Sequence, residues 1–262
     1  MNLNDISTQM IYTTVPIYAV KQDGKISTGT GFVFSIKDKT DNTFMPFLIT
    51  NYHVLDGSIN GFIDFHVGDT IQGVPKDEIV HVRFDNQALD NNKLGNLDLV
   101  AIPLAATMEA FRSKGVSFFF RSVEPTMIPT EDQEKGFAAI EDITFIGYPK
   151  AIIDTKHNFP IIRKGITATP IWNRFGGQDT FLIDAGVYPG SSGSPVFVFN
   201  QGSYPTKAGI AIGNRLMFVG VISGTYKTDE NGYINLGVVI NSRVFYKELS
   251  AFVSRLLSKQ TK

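Results

Sequence analysis

The sequence predicts an all-β protein in two halves, finished by a terminal helix. Three observations carry that prediction. Short runs of β-branched and aromatic residues, broken by Gly, Asp, Asn and Pro, fill most of the 262 residues. The pattern lapses between 105 and 135, which separates a first set of runs from a second. The end of the chain then changes from strand texture to helical spacing.

Taken in order, Ile11 to Val20 reads as the first strand. Gln22-Asp23-Gly24-Lys25 is its hairpin turn, because Asp-Gly accepts the positive φ that such turns need. The return strand is Gly29-Thr30-Gly31-Phe32-Val33-Phe34-Ser35-Ile36. A polar turn from Lys37 to Asn42 leads into a strand over 43–50, with further strands expected at 61–67, 79–84 and 97–104. Ala105 to Lys114 suits a short helix, and Glu124 to Lys135 is charged and proline-bearing, like a linker. Strands resume at 143–148, 161–169, 180–185, 195–199, 215–223 and 233–239. Val244, Phe245, Leu249, Phe252, Val253, Leu256 and Leu257 then recur on one helical face, with Asn241 or Ser242 placed to cap it.

Composition narrows the function. Hydrophobic residues make up 43 %, enough for a sizeable core, and 21 phenylalanines suit inward-facing sheet positions. Lys and Arg number 24 against 25 Asp and Glu, and they are scattered, so no nucleic-acid footprint is expected. The absence of cysteine favours a reducing compartment or a self-sufficient core. Met1-Asn2-Leu3-Asn4-Asp5-Ile6 lacks the basic and apolar regions of a signal peptide, and no apolar run nears the ~20 residues of a spanning helix. A soluble cytoplasmic protein without a membrane partner is the expectation. No metal-ligand spacing is visible. Asp229-Glu230-Asn231-Gly232 lacks the spaced carboxylates of a calcium loop and reads as a hairpin turn. Gly29-Thr30-Gly31 precedes a strand, not a helix N-terminus, so it is no phosphate loop. No cofactor is expected.

Three segments carry candidate chemistry. Pro189-Gly190-Ser191-Ser192-Gly193-Ser194-Pro195 sets serines in a glycine-flanked turn before a strand. Such a turn presents a nucleophile while converging backbone N–H groups on a developing oxyanion. Read alone, such a turn is more often just a loop. His53 ends the apolar run Phe47-Leu48-Ile49-Thr50-Asn51-Tyr52-His53, whereas His66, His81 and His157 sit in settings that suit structural roles. Asp98, in Asn96-Leu97-Asp98-Leu99-Val100-Ala101-Ile102, opens an apolar strand, where a carboxylate needs a partner. An imidazole N–H is one such partner and would fix the tautomer of a general base. A turn-forming Asp is the plain alternative. The order His, Asp, Ser separates this set from subtilisins and α/β-hydrolases.

With these blocks quoted, the chain resembles trypsin-like serine peptidases, above all bacterial HtrA/Deg-type protease domains. Gly29-Thr30-Gly31-Phe32-Val33 is similar to that family's Gly-Ser-Gly-Phe-Val strand, and Leu48-Ile49-Thr50-Asn51-Tyr52-His53-Val54 to its histidine block. Ile183-Asp184-Ala185-Gly186-Val187-Tyr188-Pro189-Gly190-Ser191-Ser192-Gly193-Ser194-Pro195 is similar to its Asp-Ala-x-x-x-Pro-Gly-Asn-Ser-Gly-Gly-Pro. Phe145-Ile146-Gly147-Tyr148-Pro149 and Gly220-Val221-Ile222-Ser223-Gly224 follow in register.

The resemblance implies two six-stranded antiparallel β-barrels, over 11–104 and 136–241, a linker over 105–135 and a helix over 242–259, all in one peptidase domain. It implies a serine endopeptidase acting on protein or peptide, with Ser192 as nucleophile, His53 as base and Asp98 as its orienter. Gly190 and Ser192 would supply the oxyanion hole. Gly186, Val187, Ser223, Gly224 and Thr225 would contact substrate, and Gly186 replaces the Asp that selects Arg and Lys. A small or medium apolar residue before the cleaved bond is therefore expected. Ser191 stands where zymogen-activated relatives carry Asp and Ser194 where Gly is usual, and the sequence leaves no room after the helix for the PDZ domain typical of HtrA proteins. A catalytically inactive binding module of the same fold is the alternative, and a regulatory protein partner has room in either reading.

Overall fold

A computed structural model describes residues 2–37, 43–70, 73–85, 89–206, 209–227 and 233–260. The expected turns over 38–42 and 229–232 lie outside the described residues. Fifteen described strands run in chain order: β1 Thr14–Lys21, β2 Ile26–Lys37, β3 Phe44–Thr50, β4 Ser58–Gly68, β5 Pro75–Asp85, β6 Val100–Pro103, β7 Ser117–Phe119, β8 Asp142–Gly147, β9 Ile161–Thr167, β10 Thr180–Asp184, β11 Pro195–Asn200, β12 Ser203–Thr206, β13 Gly209–Ile212, β14 Arg215–Lys227 and β15 Tyr233–Asn241. The α-helices are α1 Ile6–Ile11, α2 Tyr52–Leu55, α3 Ala105–Arg112, α4 Glu131–Lys135 and α5 Ser242–Gln260.

The chain forms two compact units. The first comprises Met1–Glu124, Ile146–Ile161 and Pro189–Ser194, and the second Pro125–Phe145, Ile162–Tyr188 and Pro195–Lys262.

In the first unit, β1 to β7 form one seven-stranded antiparallel sheet with the path β5-β4-β1-β2-β3-β6, and β7 pairs with β4. Among the described residues this path stays open, and the closed six-stranded barrel expected for this half is not seen in it. The β1–β2 register sets Val15 opposite Gly31 and Val20 opposite Ile26, around the turn that Gly24 closes with φ 80°. Ile17, Val33, Leu48 and Phe65 are fully buried, and Phe65 stacks on Phe118 with centroids 4.7 Å apart. A buried aromatic pair of this kind adds ~1 kcal/mol beyond its area.

The second unit contains the closed barrel β10-β15-β14-β11-β8-β9. Its core gathers Ile143, Phe145, Phe181, Ile183, Val196, Val219 and Val239. Gly220 and Gly237 give the close approaches, because a Cβ at 237 would meet the Val187 and Ile183 side chains. Helix α5 follows β15 directly. The Asn241 side chain accepts from the Arg243 N–H at 2.9 Å, which satisfies one of the helix's orphan donors. Phe245, Leu249 and Phe252 are buried along one face, as their spacing predicts. The expected linker is more ordered than its composition suggests, since α4 starts with a capping box between Thr130 and Gln133. No helix is long and apolar enough to cross a membrane among the described residues.

Candidate active site

His53, Asp98 and Ser192 all belong to the first unit. His53 lies on the one-turn helix α2, which follows β3 where Asn51 leaves the sheet. Asp98 precedes β6, the strand paired with β3 from Thr50↔Val100 onward. That pairing brings the two segments together. The Asp98 main-chain carbonyl accepts from Asn51 Nδ2 at 2.8 Å and from the Tyr52 N–H at 3.2 Å. Its carboxylate accepts from the His53 main-chain N–H at 3.0 Å through Oδ1 and meets His53 Nδ1 at 2.6 Å through Oδ2. The opposite ring nitrogen, His53 Nε2, lies 3.0 Å from Ser192 Oγ. Asp98 therefore favours the proton on Nδ1 and leaves the Nε2 lone pair aimed at the hydroxyl.

The serine turn is held from below. Gly190 and Gly193 sit at φ 92° and 89°, where an L side chain is strained. Neither position has room for one. A Cβ at Gly190 would run into the Tyr148 carbonyl, and one at Gly193 into the Thr30 carbonyl. Ser191 is fully buried, so Ser192 is the serine that the turn presents to His53.

Thr30, on β2, is the central brace. Its N–H donates to the Ser192 carbonyl at 2.9 Å, and its hydroxyl donates to the Gly190 carbonyl at 2.8 Å. The same hydroxyl oxygen accepts from the Tyr148 N–H at 3.0 Å, while the Thr30 carbonyl accepts from the Thr50 hydroxyl at 2.8 Å. Two peptide planes are fixed in a related way. The Lys150 N–H donates to the Pro189 carbonyl at 2.6 Å, and the Ser194 N–H donates to the Ser191 carbonyl at 3.0 Å. In a trans peptide the N–H points opposite the carbonyl, so these bonds set the direction of the Gly190 and Ser192 N–H groups.

The other histidines lie outside this contact and have partners of their own. His81 Nδ1 meets Asp64 Oδ1 at 2.6 Å, and His157 Nδ1 meets Asp154 Oδ2 at 3.0 Å. His66 is buried edge-on to Tyr12, and burial pushes it down to about 4. No group of acidic and histidine side chains could hold a metal among the described residues.

The expected substrate-contacting residues lie in the second unit. Gly186 and Val187 follow β10, and Val187 is buried in the barrel core. Gly224 and Thr225 pair with Val238 and Gly237, and the register slips between Ile222 and Gly224. Ser223 therefore occupies a bulge in β14.

The trypsin-like peptidase domain family matches residues 29–204, two thirds of the chain, and spans all three of these side chains. The chain belongs to the trypsin-like peptidase family. Solved structures agree in fold. The HtrA-type protease AlgW with a tripeptide superposes with a TM-score of 0.53 at 14 % identity, over 97 % of this chain and 64 % of that one. A serine endoprotease from Yersinia pestis gives 0.55 at 14 % identity, over 97 % and 67 %. The active form of a protease from M. tuberculosis gives 0.50 at 17 % identity, over 94 % and 83 %. The chain thus spans about two thirds of the length of the HtrA-type proteases it resembles. No curated protein matches it in sequence.

Among residues the sequence reading left unassigned, Thr30 and Asn51 matter most. Both lay inside the matched blocks, yet nothing in their spacing separated a bracing side chain from strand filler.

Proposed function

We propose that this peptidase-family chain is an active serine endopeptidase that cleaves protein or peptide substrates through an acyl-enzyme. The observation that carries the reading is the continuous contact from Asp98 Oδ2 through the His53 ring to Ser192 Oγ, at 2.6 and 3.0 Å. Ser192 Oγ attacks the scissile carbonyl carbon as His53 Nε2 takes its proton. Asp98 holds the resulting imidazolium in orientation. The N–H groups of Gly190 and Ser192 receive the oxyanion, each worth ~2.7–4 kcal/mol in acyl transfer. Collapse breaks the C–N bond, and His53 returns the proton to the leaving amine. Water, deprotonated by the same nitrogen, then hydrolyses the ester to restore the serine.

Gly186, Val187, Ser223, Gly224 and Thr225 form the substrate-contacting set of this reading. None carries a carboxylate, so Arg and Lys before the scissile bond are disfavoured. Taken by themselves, these five suit a small or medium apolar side chain. Substrate main chain adds beside Ser223 to Thr225 as an extra strand. A cytoplasmic setting rests on composition alone, through a chain without cysteine.

Active-site labelling tests the proposal. A fluorophosphonate probe should label the wild-type chain and fail on Ser192→Ala and His53→Ala. A folded wild-type protein that takes up no probe, or a Ser192→Ala variant that still does, supports the non-catalytic module instead.

A further inference from the structure

Arg163 lies in the second unit on β9, where side chains alternate: Ile162, Lys164 and Ile166 are exposed, while Arg163 and Gly165 are partly covered and Thr167 is buried. That alternation turns Arg163 towards the inward face of the strand. Its guanidinium occupies the space that a side chain at position 186 would take. A Cβ at Gly186 would lie 2.5 Å from Arg163 Nη2 and 3.1 Å from Tyr188 Cε2. Gly186 itself is buried, and the guanidinium carbon sits 5.2 Å from the centre of the Tyr188 ring.

Among the described residues no acidic side chain pairs with Arg163, although Arg174, Arg215 and Arg243 each have one. The Tyr188 face offsets part of its desolvation. A carboxylate would complete it better, because a guanidinium binds one through two parallel charge-assisted hydrogen bonds.

Position 186 is where the resemblance puts the base of the pocket for the residue before the cleaved bond. An Asp there selects cationic side chains. A guanidinium delivered to the same space from β9 reverses the charge. We propose that Arg163 is a specificity-determining residue, selecting substrates with Glu or Asp before the scissile bond in place of the small apolar residue that Gly186, Val187 and Thr225 alone suggest. The inference rests on the peptidase reading above.

Peptide-library cleavage by the wild-type chain tests it, alongside fluorophosphonate labelling. The expected profile is dominated by Glu or Asp before the cleaved bond. In Arg163→Gln, the ratio of kcat/KM for a Glu substrate over its Leu counterpart should fall about 10- to 100-fold, the worth of a hydrogen bond to a charged group. Arg163→Lys, which keeps the charge, should retain part of that ratio, and thermal melting checks that both variants fold. If either variant fails to melt cooperatively, the wild-type profile and its loss of acidic preference at pH 4, where the substrate carboxylate protonates, decide the matter. An apolar-dominated wild-type profile, with labelling intact, overturns this inference and leaves the peptidase reading standing. So does an unchanged Glu-to-Leu ratio in folded Arg163→Gln. A wild-type chain that neither cleaves nor labels overturns both.

Discussion

Arg215 and Glu141 form an ion pair of 2.5 Å inside the second unit, with side chains only 9 % and 6 % exposed. Each keeps further partners. Arg215 Nε donates to Asn200 Oδ1 at 2.9 Å, its guanidinium lies over Tyr204 and Phe137, and Glu141 Oε1 accepts from the Ala138 N–H. Desolvation of two charges largely cancels their attraction, so the pair adds little net stability, yet breaking it strands a buried charge. Glu141→Gln should therefore destabilise the chain by about 3 kcal/mol. A Glu141→Gln, Arg215→Met double variant should recover most of that loss, read as the shift in the thermal or urea midpoint.

Thr30→Val keeps the shape of the side chain and removes its hydroxyl. The Gly190 carbonyl then loses its donor and the Tyr148 N–H its acceptor, both in a buried setting. We expect a stability loss of about 2 kcal/mol and a fall in kcat of roughly 10-fold, from looser control of the Gly190–Ser191 peptide. Thr30→Ser retains the hydroxyl and should restore most of kcat. Steady-state kinetics normalised to titrated active sites separates the two effects, and an equal fall in both variants would show that the hydroxyl alone does not set kcat.

Asp98→Asn tests the tautomer argument. The amide keeps the size of the carboxylate, but it can present an N–H₂ group where His53 Nδ1 now donates. The wrong ring nitrogen then carries the proton, and kcat should fall by roughly 10⁴-fold with little change in the melting temperature. Proton NMR of the imidazole ring would report the tautomer directly.

His66 supplies a pH dependence of stability. Its folded value of about 4 lies below the 6.5 of a free imidazole, because burial disfavours the charged ring. Below pH 6.5 the unfolded chain takes up a proton that the folded chain refuses. Stability should accordingly fall as the pH drops from 6.5 to 4, by about 3 kcal/mol in all, and this group adds nothing further below that. Lys76, Asp77, Glu78, Lys156 and His157 line the same depression. His66→Phe should flatten the acid limb of a urea-midpoint versus pH curve relative to the wild-type chain.

The site was legible where chemistry demands particular residue types. His53, Asp98 and Ser192 stood out because imidazole, carboxylate and a glycine-flanked serine recur in a fixed order. Helix α5 was legible through its apolar period. Four features were not. Arg163 gains its meaning from Gly186, a neighbour that strand pairing alone supplies, so no local window could connect them. The β12–β13 hairpin leaves Ile210 and Ile212 almost fully exposed and carries none of the burial alternation that marks a strand. Helix α1 was not anticipated, and only its last residue, Ile11, fell within the first expected strand, whereas Asp5 caps a helix by accepting from the Thr8 N–H at 3.0 Å. Closure of the sheet, found in the second unit, depends on register and shear, which alternation does not encode.

The segment Pro189–Ser194 packs as part of the first unit although the chain on both sides of it belongs to the second. On the function proposed above, the bond-making residues His53, Asp98 and Ser192 belong to one unit, while Gly186, Ser223 to Thr225 and Arg163 belong to the other. Substitutions in the barrel that alter which bond is chosen should therefore leave the labelling of Ser192 intact.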